Sequence, residues 1–176
     1  MKPATYSVQE RLRDGRRIRI RALRPDDETE MLAAIDRTDP ESLRRRFFAP
    51  KRGFSEKEKA FFMDPDFVNH VALVAEIDEG QKSAIVGGGR YVVVQPGQAE
   101  LAFVVIDAYQ GQGIGTMLMR HLLVIARRAA LNELMAEVLS DNSAMLGVFK
   151  RFGFSSSSGG DPGTMHLRLK LRETAA

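Results

Sequence analysis

Gln110-Gly111-Gln112-Gly113-Ile114-Gly115-Thr116 joins a strand-like run at 101–106 to a helix-like run at 116–130. A glycine-rich turn from a strand into a helix offers backbone N–H groups at the positive end of a helix dipole, a ready site for a phosphate or diphosphate. Side chains there would hold the anion off the backbone, and such turns often need positive φ, so glycine serves twice. Two familiar phosphate loops fail on spacing. The mononucleotide pattern Gly-x-x-x-x-Gly-Lys-Ser/Thr lacks its lysine. The dinucleotide pattern Gly-x-Gly-x-x-Gly finds Gly111 and Gly113 but meets Thr116 at its third glycine. Its acidic partner would fall near position 135, where only Glu133 and Glu137 lie close.

The rest of the composition narrows the classes. At 176 residues the chain reads as a single domain over 1–176, with its core at about 17–171. A content of 44% hydrophobic and 28% charged residues is that of an ordinary globular protein. With no cysteine, disulfides, thiolate zinc sites and a cysteine nucleophile are excluded, and no metal is implied. The N-terminal residues lack an apolar signal core, and no run reaches the ~18 apolar residues of a membrane span, so a cytoplasmic protein without a membrane partner is expected. A net charge of +3 is mild. Arginines cluster at Arg16, Arg17, Arg19, Arg21 and Arg24 and at Arg44-Arg45-Arg46, read as solvated faces of a strand and a helix. Aromatic residues suited to base stacking are not interleaved with them, so no nucleic-acid partner is expected.

Along the chain, Asp14-Gly15 marks a hairpin whose second arm alternates Ile18, Ile20 and Ala22 with arginines. Pro25-Asp26-Asp27 opens a helix, with the acidic pair in its first turn, and a second helix spans 41–48. Ser55 with Glu58 reads as a capping box for a third. Strands follow at 67–77 and 84–94; the latter contains Gly87-Gly88-Gly89, a sign of a bulge or a close backbone approach. The helix after the glycine loop carries Leu118, Leu122 and Ile125 as a packing stripe, with His121 read as a satisfied helix histidine. Ser140-Asp141-Asn142 ends a strand and caps the next helix. Residues 155–163 read as a polar loop, and 164–171 alternate as a last strand. Strands, then strand–helix–strand–helix–strand, indicate a mixed sheet with helices on both faces.

A third loop pattern does fit. Gln110, Gly113 and Gly115 match Gln/Arg-x-x-Gly-x-Gly/Ala at a helix start, which resembles the acetyl-CoA loop of the GCN5-related N-acetyltransferases (GNAT). The segment from Asn142 through Met145, Val148 and Phe149 to Gly153-Phe154 resembles the asparagine-to-Gly-Phe helix of the same family. Together with the strand at 99–105, the composite covers residues 100–154, and looser likeness extends from Arg17 to Leu171.

The resemblance implies an α/β (α+β) GNAT fold, with a mixed, mostly antiparallel six- or seven-stranded sheet, helices on both faces and a splayed central strand pair. It implies acetyl-CoA as cosubstrate. The pantetheine arm would pair with the backbone of Phe103, Val104 and Val105. The diphosphate would lie on the N–H groups of Gly111, Gln112, Gly113, Ile114, Gly115 and Thr116, with Gln110 a further cofactor-binding residue at the head of the loop, and Asn142 would sit near the pantetheine. A backbone N–H near Val104 would polarise the thioester carbonyl. Glu100, a carboxylate among small and apolar residues, is the candidate general base; its placement resembles the glutamate base of bacterial protein-lysine acetyltransferases. Burial would raise its pKa toward neutrality. The family's tyrosine acid is replaced by Phe149, which leaves Tyr91, Tyr109 or water to protonate the thiolate. The acceptor amine is a protein lysine or a small molecule, and the family's frequent dimers leave a homodimer open. A CoA-binding regulatory module without catalysis, or a nucleotide-binding protein, are the alternatives from other classes.

Overall fold

The computed structural model describes residues 2–47, 54–157 and 161–171. Strands β1 (Ser7–Arg11) and β2 (Arg17–Ala22) form the first hairpin, with Gly15 at φ +90° in its turn. A 3-10 turn at Pro25–Asp27 leads into helices α1 (Glu28–Asp36), α2 (Pro40–Phe47) and α3 (Glu56–Met63). Strands β3 (His70–Glu79), β4 (Lys82–Gln95) and β5 (Gln98–Val105) form a meander. Helix α4 (Ile114–Arg128) crosses over to β6 (Glu133–Leu139), and α5 (Ser143–Arg151) precedes β7 (Ser155–Ser156) and β8 (Thr164–Lys170). The sheet runs β1-β2-β3-β4-β5-β6-β8-β7. All neighbours are antiparallel except β5 and β6, and parallel pairing needs a crossover such as α4 supplies. Eight strands replace the expected six or seven because Ser155 and Ser156, read as loop, pair with Arg168 and Leu167. Phe48, the last residue of the expected second helix, and residues 158–160 of the polar loop lie outside the described residues.

The apolar stripe of α4 buries Leu118, Met119, Leu122 and Ile125 against β2–β5. His121 on the same helix is satisfied: its ring takes the Tyr6 hydroxyl at Nδ1 and meets Glu10 through Nε2 at 2.8 Å. Helices α1 and α2 cover β4, β5 and β6 from the other side. The glycine triplet fits between these layers. A Cβ on Gly89 would stand 2.6 Å from the Phe103 ring, so only glycine allows that ring to lie across the strand. Across the ladder from Gly87, the β3 register shifts between Ala75 and Glu76, the bulge that the triplet suggested.

The arginine face of β2 differs from the expected wet surface. Arg21 is only 3% exposed and forks onto Asp27 (2.7 and 2.9 Å) and Glu76 (3.0 and 3.2 Å). Asp27 is therefore a buried counter-ion rather than a solvated helix-start charge. Burial works against its ionised form, but hydrogen bonds from Arg21 and from the Arg24 N–H hold its pKa below the ordinary value. The α3 capping box forms as read: Glu58 N–H donates to Ser55 Oγ (3.1 Å), and Ser55 N–H to Glu58 Oε2 (2.8 Å).

Candidate active site

Strands β5 and β6 pair over only four rungs, from Gln98↔Glu133 to Leu101↔Ala136. Beyond Leu101 they part, and β6 continues on β8 alone. The opening is a cleft of about 430 Å³, walled by β5, the glycine loop, the start of α5, and Ser42, Arg45 and Arg46 of α2. Residues Phe103, Val104 and Val105 thus have no β6 partner, as expected for the splayed pair.

Strand alternation tells which backbone groups face the opening. Ile106 N–H donates to Val86 O of β4 (3.0 Å), and the β4–β5 register is unbroken from Val93 to Gly87. Even-numbered residues of β5 therefore turn their N–H and C=O toward β4, and odd-numbered ones toward β6. The cleft receives the main chains of Phe103 and Val105. This corrects the polarising N–H placed near Val104: its amide is turned toward β4, and only its side chain reaches the cleft. The Val105 carbonyl is taken by Gln110 Nε2 (3.0 Å).

The loop is held by its glutamines. Gln110 Nε2 also lies within hydrogen-bond reach of Ser42 Oγ and Asp107 Oδ1, and Gln112 accepts from Arg16 Nη2 (2.8 Å) while donating to Ala108 O (3.3 Å). Ile114 is buried, so it offers the cleft its backbone. Gly111 (φ +74°) and Gly113 (φ +88°) take the left-handed conformation that glycine tolerates. No main-chain N–H from Gly111 to Thr116 donates to another described residue. A Cβ built on Gly111 or Gly113 would meet nothing within 4 Å, and on Gly115 only Met145 Cε at 4.0 Å. This is a cradle of unspent donors with open space before it, and Arg13 and Arg151 add positive charge to the cleft. The donor set suits a diphosphate. Asn142 lines the cleft and caps α5, its Oδ1 accepting from Met145 N–H (3.3 Å), which leaves its amide N–H groups unspent.

Glu100 stands on the α2 face of β5, exposed on the cleft wall, one residue before the last paired rung. Its pKa is raised, first by burial of the carboxylate against the cleft wall, then by repulsion from Glu137; the Arg46 charge opposes both. Glu137 and Arg46 escaped the sequence reading. On β6, Glu137 shares the face of Glu100 and contacts His166 Nδ1 at 3.3 Å. Its place in a period-2 pattern looks like any solvated strand position until the β6–β8 register is known. Arg46 is half-buried and lies over the Phe47 ring at 4.7 Å. Burial pushes its pKa down to about 10, with the Glu100 charge pulling back.

The tyrosine candidates drop out. Tyr91 is 1% exposed, lies off the cleft, and burial pushes its pKa up to about 12. Tyr109 reaches the cleft wall but donates its hydroxyl to Glu79 Oε1 (2.7 Å). Phe149 is buried edge-on to Phe103 and Phe154. Among the described residues no His, Asp or Glu cluster suits a metal ion, and no helix is long and apolar enough to cross a membrane.

Residues 31–154 match the Acetyltransferase (GNAT) family. Acetyltransferase PA5475 of Pseudomonas aeruginosa is 33% identical over 164 residues, which cover 92% of this chain and 88% of that protein. Acetyltransferase Pat of Mycolicibacterium smegmatis is 32% identical over 81% of this chain and 42% of its own length. The crystal structure of the GNAT domain of S. lividans PAT superposes with a TM-score of 0.85 at 31% identity, covering 93% of this chain and 96% of that one. The chain belongs to the GNAT family of acetyltransferases. It is an acetyl-CoA-dependent enzyme, and the parted strands and unspent loop amides fit that cosubstrate.

Proposed function

We propose that the chain, acting as one catalytic domain, moves the acetyl group of acetyl-CoA directly to a primary amine, with a protein lysine the favoured acceptor and Glu100 the general base. One observation carries the reading: Glu100 projects into the cleft at the point where β5 leaves β6, beside the backbone that would hold the thioester. In this reading the loop amides from Gly111 to Thr116 take the diphosphate, and Phe103 and Val105 pair with the pantetheine amides. Asn142 donates its side-chain amide to the same arm.

A lysine with a pKa of ~10.4 is protonated at neutral pH, and making it a nucleophile costs roughly 4–5 kcal/mol. The raised pKa of Glu100 makes it a better proton acceptor than a solvated carboxylate. The amine then forms the C–N bond, the C–S bond breaks, and the thiolate leaves. A thiol pKa near 8.5 lets it go without a dedicated side-chain acid, in keeping with Phe149 at the family's tyrosine position. Lysine is favoured because the Glu100 strand resembles that of bacterial protein-lysine acetyltransferases, and relatives named Pat share sequence over most of the chain.

The test is an acetylation assay over candidate proteins and small amines, read by mass spectrometry, with free CoA release measured in parallel. Acetylated lysines support the reading. Acetylation of small amines alone moves the acceptor to that class. Tight acetyl-CoA binding with no transfer to any acceptor assigns a non-catalytic CoA module.

A further inference from the structure

Beneath α1 and α2, against β4 and β5, lies a second cavity of about 70 Å³, room for several water-sized groups. It shares Ala102, Val104 and Arg46 with the catalytic cleft, so the two spaces adjoin beside the parted strand. Phe47, Phe62 and Ile106 give it an apolar lining, and Thr38 spends its hydroxyl on Ala34 O (2.8 Å). The exceptions are two guanidinium groups, Arg46 and Arg90. Arg90 donates to Phe62 O (3.2 Å) and His70 Nε2 (3.0 Å) and lies over the Phe62 ring at 4.8 Å. Arg46 lies over Phe47. Among the described residues neither makes an ion pair. Each also feels its surroundings as a cation in apolar ground: burial, then the nearby Arg46 charge, push the Arg90 pKa down to about 9. Arg46 has the Glu100 charge near it on the cleft side, but among the described residues no carboxylate offsets Arg90, and a second guanidinium beside it in apolar ground is costly; an anion between the two relieves that cost.

We propose that this cavity is an acyl-chain pocket, and that the enzyme accepts CoA thioesters whose acyl group ends in a carboxylate in addition to acetyl-CoA. The inference rests on the cleft being the thioester site. A chain growing from the thioester carbon passes Ala102 and Val104, lays its methylenes against the aromatic walls, and brings its carboxylate to Arg46 and Arg90. The acceptor amine instead approaches through the solvent-open side of the cleft, which Glu100 and Glu137 line as exposed residues. Bond changes match those of acetyl transfer: C–N forms, C–S breaks, the amine proton goes to Glu100, and the terminal carboxylate is unchanged.

Gly88 supplies a control on the pocket wall. It pairs with Val104 and has ordinary strand φ, and a Cβ there would meet only Leu73 O at 3.4 Å. A larger side chain at this position fills the pocket without entering the cleft.

The experiment is calorimetric titration of the intact chain with CoA, acetyl-CoA, butyryl-CoA and succinyl-CoA. The last two have equal chain length and differ in the terminal carboxylate. Succinyl-CoA should bind about tenfold more tightly than butyryl-CoA. Arg46→Gln should abolish that preference. Gly88→Val should weaken both four-carbon thioesters while leaving acetyl-CoA within about twofold. Equal binding of the two, or a preference that survives both variants, overturns the pocket while acetyl-CoA binding keeps the cleft intact. Failure of all four ligands overturns the cleft as well. Should acetyl-CoA turnover instead favour acceptors carrying a carboxylate, and Arg46→Gln remove that bias, the arginines serve the acceptor and the acyl assignment falls.

Discussion

Arg90 Nη1 stands 3.0 Å from His70 Nε2, and since arginine can only donate, His70 must accept with a neutral ring. The same ring is stacked on Phe61 at 4.8 Å and 20°, so the contact pins α3 to the start of β3. Burial, then the Arg90 charge, push the His70 pKa down to about 4.

Neutral His70 makes the fold acid-sensitive. The unfolded chain takes up this proton near pH 6.5 and the folded chain only near 4, so stability is full above 6.5 and is lost as pH falls between those values. The full loss from this residue is at most about 3 kcal/mol. Urea unfolding from pH 7.5 to 4.5 should show it, and His70→Gln should flatten the curve. A smaller slope of the same sign should remain from His121, whose pKa burial also lowers.

Glu100→Gln should cut turnover by about a hundredfold while acetyl-CoA affinity stays nearly constant. Because the base works deprotonated, kcat/KM should fall as pH drops through its raised pKa. Glu137→Gln removes a repelling charge and should move that acid limb to lower pH; Arg46→Gln should move it higher. A pH profile that ignores all three variants removes Glu100 from the chemistry.

Gly115 separates folding from binding. It lies in the first turn of α4 with ordinary φ, and an added Cβ has space. Gly115→Ala should leave the ligand-free protein as stable or up to about 1 kcal/mol more stable, yet weaken acetyl-CoA. Gly113→Ala should lose about 1–2 kcal/mol from its left-handed φ as well as affinity. Thermal melts with and without acetyl-CoA read both effects.

Asn142 carries two proposed duties that one pair of variants divides. Asn142→Ala should cost about 1 kcal/mol by uncapping α5. Asn142→Asp should keep the cap and the stability but raise the KM for acetyl-CoA, because the amide donor is gone.

Asp27→Asn should destabilise by about 3 kcal/mol or more, since it strips a charged partner from buried Arg21. Denaturant titration at pH 7 checks this. As the Asp27 pKa is held low, its contribution should persist above the ordinary carboxylate range and vanish only as pH falls below it.

Local features could be read directly from the chain. The glycine loop, the Ser55–Glu58 box, the bulge at the glycine triplet and the Asn142 cap each depend on residues a few positions apart. What escaped depends on distant partners. Arg21 reads as one more wet arginine until Glu76 arrives beside it across β3, and Glu137 gains meaning only when β6 lies between β5 and β8. Arg46 sits in an arginine run whose other two members pair with Glu41 and Asp141, and nothing local marks it as the one turned inward. The direction of the Val104 amide is a parity question, and a strand's parity is fixed by its neighbour.

The short ladder between β5 and β6 shapes which guests the enzyme can admit. On the proposed reading, the missing rungs are completed by the guest, so it must be thread-like and carry amides at roughly peptide spacing. Flat heterocycles without such a thread find nothing to zip into. Recognition of this kind is written in the main chain, so most side-chain exchanges at Phe103 or Val105 leave it legible. Proline, which deletes the amide hydrogen itself, is the substitution that would erase it.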